Sequence, residues 1–358
     1  MLSRSAPGKR LFPANTVGLP VLQKSNFNCT PVVFLFRDKS IITIFFLAIL
    51  SIGIHLHFFW QAPLVVYHPN DGVFSFLLSK YVAGRSQTLL FIIYHLLVLI
   101  QAIRLNMVLN DLRMFQQNYF VTAMVYVLLS GILIQWSSIS PALMANFLLI
   151  WLFIKLSRLY NHPSPKTLLF NTGLIIGLSV VCYHPTAIMI VVVLFALAVV
   201  RPFSLAEWLV LLMGALVPYY FLFSWLFITD QTILLTSFLP SLQWNLPVAQ
   251  WDMQLAASVS LLVLWLLFGL YYWQFSVKRM IIQIRKNWGV MMVMLLILLP
   301  IPFIFLKGGI ESGILSLVPL GAFAANAFSN PKKLLLPNLL FWLAMGIIIF
   351  NNWWFLKN

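Results

Sequence analysis

Residues Pro202–Val277 read PFSLAEWLVLLMGALVPYYFLFSWLFITDQTILLTSFLPSLQWNLPVAQWDMQLAASVSLLVLWLLFGLYYWQFSV. No Lys or Arg interrupts this stretch. Two apolar runs fill it, Leu205–Ile228 and Leu255–Gln274, joined by the polar, proline-containing connection Thr229–Gln254. A bilayer core takes about 20 apolar residues per helix. Two such runs around a loop without basic residues read as a membrane hairpin whose loop faces away from the cytoplasm.

The same rhythm runs through the rest of the chain. Nine further apolar segments are Ile41–Trp60, Thr88–Leu109, Tyr119–Gln135, Pro141–Leu156, Thr167–Tyr183, Pro185–Val200, Val290–Leu306, Ser312–Phe328 and Leu335–Phe355. The pair broken at His184–Pro185 and the Gly-rich run Gly308–Phe328 also fit re-entrant segments, because Gly and Pro interrupt helices where they line protein. With all eleven crossing and the N-terminus inside, eighteen of the 22 basic residues fall on the cytoplasmic side. Only Lys80, Arg85, Lys307 and Lys357 fall outside. The reverse orientation violates the positive-inside rule. The expected fold is therefore an all-α polytopic bundle of about 11 spans, N-terminus inside and C-terminus outside.

Composition excludes the soluble classes. The chain is 62% hydrophobic and 8% charged, against about 25% charged for a soluble domain. The formal charge of +15 sits at membrane-flanking turns, so it reads as topology and headgroup contact, and nucleic acid is not an expected partner. Residues 1–31 are polar and basic with no apolar core to a signal peptide. They read as a disordered cytoplasmic leader or an over-extended start, leaving 32–358 as the membrane domain. Cys29 and Cys182 fall on opposite sides of the membrane, which disfavours a disulfide.

The external loops hold the candidate chemistry. In the first, Pro69, Asn70, Asp71 and Gly72 make a strong turn signal. Val73, Phe74, Leu77, Leu78 and Tyr81 then recur at helical spacing, as in a short interfacial helix. The second holds Asp230, Asp252, Trp244 and Trp251, the last Lys307, Gly308, Gly309 and Glu311. A carboxylate at headgroup level can act as general base on a lipid-linked substrate. Asp71 and Glu311 are the catalytic candidates, and Lys80 and Arg85 the candidate phosphate-binding pair. Asp230 and Asp252 read as solvated loop charges.

Other polar residues read as structural. His55 and His57 are two apart, which on a continuous helix points them apart. With no HExxH they give no metal site, and no cofactor is expected. Gln101, Asn106 and Asn110 read as interhelical glue, the two Asn on one face. Arg201-Pro202 ends one span. Ser204 and Glu207 match a capping box for the next, with Trp208 and Pro218 inside it.

FLFRDKS (Phe34–Ser40), QAIRLNMVLN (Gln101–Asn110), PALMANFLL (Pro141–Leu149), FNTGLIIGLSVVCYHP (Phe170–Pro185) and RPFSLAEWLVLLMGALVPYYF (Arg201–Phe221) resemble an uncharacterised family of multi-pass inner-membrane proteins of Bacteroidota. The resemblance runs from about Val33 to the C-terminus and implies a cytoplasmic-membrane location. A fainter architectural likeness is to multi-pass glycosyltransferases that use polyprenol-phosphate sugars. These carry an acidic residue and an interfacial helix in the first external loop, the places of Asp71 and Val73–Tyr81. That loop is shorter here, about Gln61–Ser86, and has a single Asp. The likeness implies membrane lipids and a lipid-linked sugar as partners. A transporter or flippase and a non-catalytic membrane scaffold are the alternatives.

Overall fold

The computed structural model describes residues 32–38, 40, 42–68, 71–117, 119–160, 165–200, 204–232, 235, 238, 252–304 and 309–357, without side chains at 200, 304 and 353–357. The leader 1–31, Arg201, Pro202, Trp244, Trp251, Lys307 and Gly308 lie outside the described residues. Everything below concerns the compact unit Pro31–Asn358.

The described residues are helical, with no strand among them. In chain order the helices are α1 (Val32–Phe36), α2 (Ile42–Ile54), α3 (Val73–Leu77, continued by a π turn to Val82), α4 (Gln87–Asp111), α5 (Val121–Ile132), α6 (Pro141–Ser157), α7 (Pro165–Cys182), α8 (Met189–Val200), α9 (Leu205–Ile228), α10 (Met253–Val277), α11 (Ile282–Leu298), α12 (Ile301–Ile304), α13 (Leu317–Ser329) and α14 (Leu335–Lys357). Seven helical stretches are long and apolar enough to cross a membrane. Shorter apolar helices occupy Ile42–Ile54, Val73–Val82, Val121–Ile132, Pro141–Ser157 and His184–Val199. The chain is a multi-pass membrane protein.

The bundle is built around a central pair. Every residue of α5 is buried, as is α13 from Leu317 to Phe328, and the two pack together. The stretch Ile310–Ser329 is 94% buried inside the protein, against 17% for α9. A helix apolar all round is a core helix when protein surrounds it and a lipid-facing one when it does not. Here α4 and α2 cover α5, while α10 and α11 cover α13. The pair α7 and α9, separated in sequence by α8, packs side by side against α6.

Small residues set the close approaches, because lipid tails give helices no hydrophobic reason to associate and packing must supply it. A side chain on Gly173 or Gly177 of α7 would run into the α9 backbone at Leu211 and Ala215. One on Gly214 of α9 would meet the carbonyl of Phe170 in return. Gly269 of α10 lies in the same way against Phe323 of α13.

Helix ends are closed by side chains from elsewhere in the chain. Arg37 donates from Nε to the carbonyl of Phe328 at 3.1 Å, and from its terminal nitrogens to Phe328 and, at 3.0 Å, to Pro331. A guanidinium is well suited there, since the last carbonyls of α13 carry partial negative charge. At the opposite end Asn351 donates to Ile132 O (2.8 Å) and Asn352 to Ile54 O (2.9 Å), closing the last turns of α5 and α2.

Three local expectations are corrected. Ser204 stands at the N-cap of α9, but its side chain makes no cap hydrogen bond, so the capping box is absent; the backbone bond from Glu207 N to Ser204 O (3.1 Å) closes the turn instead. His55 and His57 do not point apart. Helix α2 stops at Ile54 and the chain tightens into a 3-10 turn, Leu56–Phe59, which turns both imidazoles inward with ring centres 6.1 Å apart. Asp71, expected at an exposed loop, is buried at 6% exposure.

Candidate functional site

The first long loop reaches its place by two anchors. The segment after α2 pairs with the one after α5 through a parallel bridge between Val65 and Ile139. Val66 N donates to Ile139 O at 3.0 Å and Ile139 N to Leu64 O at 2.8 Å. The chain then passes half-buried His68, whose imidazole burial pushes below its ordinary pKa and so keeps it neutral at pH 7. The second anchor is Gly72. Its φ of 103° lies in the region that favours glycine, and a Cβ there would stand 2.5 Å from the carbonyl oxygen of Cys182. Asp71 is thus set down beside the end of α7.

That end carries Tyr183, the residue between α7 and the 3-10 turn His184–Ile188. Tyr183 is buried at the Cys182 end of α7, where Gly72 brings the loop of Asp71 against the helix. Glu311 opens the 3-10 turn Ile310–Ser316, which leads into the central helix α13. The turn is held by Trp136, whose indole N–H donates to Ile310 O at 3.1 Å, and by Asn146, whose amide donates to Ile314 O at 3.0 Å. Asp71 thus sits beside the end of α7, and Glu311 sits half-buried on the turn that leads into α13. Two carboxylates and a phenol can take and give a proton at a bound hydroxyl group.

Lys80 and Arg85 lie elsewhere on the same external segment, and both are exposed. The Lys80 ammonium sits 5.5 Å from the ring centres of both Phe76 and Tyr81. Arg85 Nε donates to Tyr81 O at 3.0 Å. Asp230 is a turn residue: its φ of 50° follows the last turn of α9, a conformation Asp tolerates better than most side chains. Asp252 stands exposed at the N-cap of α10.

The structural residues behave unevenly. Gln101 donates to Leu143 O and accepts from Tyr126, both at 2.7 Å, and Asn146 donates to the same Tyr126 hydroxyl at 3.1 Å. Asn110 donates to Tyr119 O at 3.1 Å. Buried Asn106 has no hydrogen-bond partner among the described residues, and nothing in the structure explains it. Trp208 packs partly buried against the core, and Pro218 lies within α9.

Sequence reasoning missed two groupings. Tyr183 looked like the last residue of an apolar span. His55, His57 and His95 gather with Tyr94, which meets His55 Nε2 at 3.0 Å, while Ser51 meets His95 Nδ1 at 2.9 Å. The pattern His55–x–His57 is legible in sequence, but its convergence depends on the end of α2. Among the described residues no group of three or more His, Cys, Asp or Glu is arranged to hold a metal.

Comparison with known proteins matches no family model, no curated protein and no solved structure.

Proposed function

We propose that this chain crosses the cytoplasmic membrane eleven times, N-terminus inside, and acts at its external face as a glycosyltransferase-like enzyme of envelope-glycan assembly with a lipid-linked donor. The observation that carries this reading is that Asp71, in the first external loop, is buried at 6% exposure against the end of α7. The chain has only seven acidic residues. Asp71 is buried and Glu311 half-buried; taking a carboxylate out of water is costly, and ionisable groups at membrane depth are functional candidates by default. In this reading Asp71 takes the proton of an acceptor hydroxyl as its oxygen bonds to the anomeric carbon, and the lipid phosphate leaves. Glu311 and Tyr183 hold the acceptor. Lys80 and Arg85, exposed on the segment after Asp71, meet the donor phosphate.

A transporter or flippase is the second reading. Its support is that the turns His184–Ile188 and Ile310–Ser316 are both buried breaks in apolar helices, as lining segments of transporters are.

The test is donor consumption. Membranes containing the full chain, given a radiolabelled polyprenol-phosphate sugar, consume it, and Asp71→Asn or Glu311→Gln slows this by about a hundredfold or more. Consumption that survives both substitutions together removes the catalytic reading. Passage of intact donor across the membrane without sugar transfer favours the flippase.

A further inference from the structure

A second site lies beside Ile310, where α5, α10 and α14 meet. The end of α5, the start of α10 and Asn351 of α14 enclose a cavity of about 200 Å³. Its polar wall is Gln135, Asp252, Gln254, Ser258 and Asn351. Asn351 is 1% exposed, and its amide orientation is fixed by its partners. Nδ2 donates to the carbonyl of Ile132 and to Ser258 Oγ, each at 2.8 Å, and Ser258 Oγ itself donates to Ile132 O at 3.0 Å. Oδ1 is left as an acceptor with no partner among the described residues. Gln254 Nε2 is left in the same way as a donor. A buried amide that lacks a partner costs stability, so this pair points to something outside the protein that both donates and accepts.

The chemistry of the wall narrows the choice. A hydroxyl group donates to Asn351 Oδ1 and accepts from Gln254 Nε2. A phosphate only accepts, would find no Lys or Arg in the wall, and would face the Asp252 carboxylate. An apolar slot adjoins the cavity. Leu133, Leu255 and Ile310 are shared with an apolar slot of about 240 Å³. Leu262, Leu266, Leu299 and Phe303 wall that slot, and exposure of Val263, Leu299 and Phe303 opens it toward the lipid. Together the two spaces reach the ordinary size of a small-ligand site, about 300–1,000 Å³. A polar space and an apolar one that share three lining residues match one kind of molecule.

We infer that Gln254, Asn351 and the slot along α10 bind an amphiphile with an uncharged hydroxyl-bearing head, its head against the two amides and its chain in the slot. The inference does not rest on catalysis at Asp71.

The full chain in phosphatidylcholine nanodiscs is photolabelled with four diazirine alkyl probes of equal chain length, headed by glucose, glycerol, phosphate or a quaternary ammonium. The glucoside or the monoglyceride labels residues 253–266 and 299–303 about tenfold more than either charged probe. A preference for glucose assigns the ligand to the glycolipids and one for glycerol to the glycerolipids, and either supports the inference. Gln254→Leu and Val263→Trp each lower that labelling about tenfold, the loss of roughly one buried hydrogen bond or of the chain's place. Neither position is fully buried, and an unchanged melting temperature shows that the fold is intact. Equal labelling by all four heads, preference for a charged head, or labelling indifferent to both variants overturns the inference.

Discussion

Asp71 illustrates what burial does to a mutational test. On an exposed loop Asp71→Asn would be neutral for folding. Seated at 6% exposure against the end of α7, it replaces a carboxylate with an amide whose two donors need partners. We expect a loss of about 1–3 kcal/mol, read as a lowered melting temperature in detergent, together with loss of donor consumption. A variant that consumes donor at the wild-type rate removes Asp71 from the chemistry. Gly72 is the sharper structural probe: Gly72→Ala puts a methyl onto the Cys182 carbonyl at a positive φ. It should displace the loop, lowering both stability and activity, whereas Lys80→Gln, on the exposed helix, should lower activity alone. Asp71 was legible from the turn signal at Pro69–Gly72 and Glu311 from its glycines. The burial of Asp71 was not, because it depends on where the carbonyl end of α7 stops, and nothing in the local spacing of Phe170–Pro185 encodes a contact with that loop.

Elements were more legible than sites. The expected span Leu205–Ile228 is α9 to the residue, and each of the other ten apolar segments contains a helix. Hydropathy finds them because every backbone group in lipid must be satisfied within the segment. It misses the places where neighbouring protein takes over that task. The segment Ile41–Trp60 is one run by hydropathy, yet its helix ends at Ile54, whose carbonyl accepts from Asn352. The segment Tyr119–Gln135 likewise ends its helix at Ile132, where Asn351 and Ser258 supply the donors. The α7–α9 pair gives an element-scale prediction. Gly177→Val places branched carbon against the Ala215 backbone, and overpacking of this kind costs about 1–3 kcal/mol. The melting temperature should fall, whereas Gly346→Val, where a Cβ meets open space, should leave it nearly unchanged. Equal effects at the two glycines would mean that the pair is not held by this contact.

At the scale of the whole molecule, the alternation of ends is the feature that binds charge pattern to structure. Contacts gather Phe58 with Gln87, Ile132 with Ser258 and Asn351, and Trp136 with Ile310 at one end of the bundle. Arg37 with Phe328, Asn330 with Ser276, and Lys286 over the Tyr160 ring gather at the other. The second group carries basic side chains and the first carries none, which is the asymmetry that orients membrane proteins. In the proposed orientation α9 runs outward and α10 inward, which would put the connection between them outside. A phosphatase fused after Trp251 should be active only in the periplasm and a cytoplasmic reporter fused after Arg201 only in the cytoplasm. A cytoplasmic reporter that works after Trp251 would invert the molecule. It would also place Asp71, Glu311 and the Asn351 cavity on the cytoplasmic face, where a lipid-linked donor used for external glycan would not meet them.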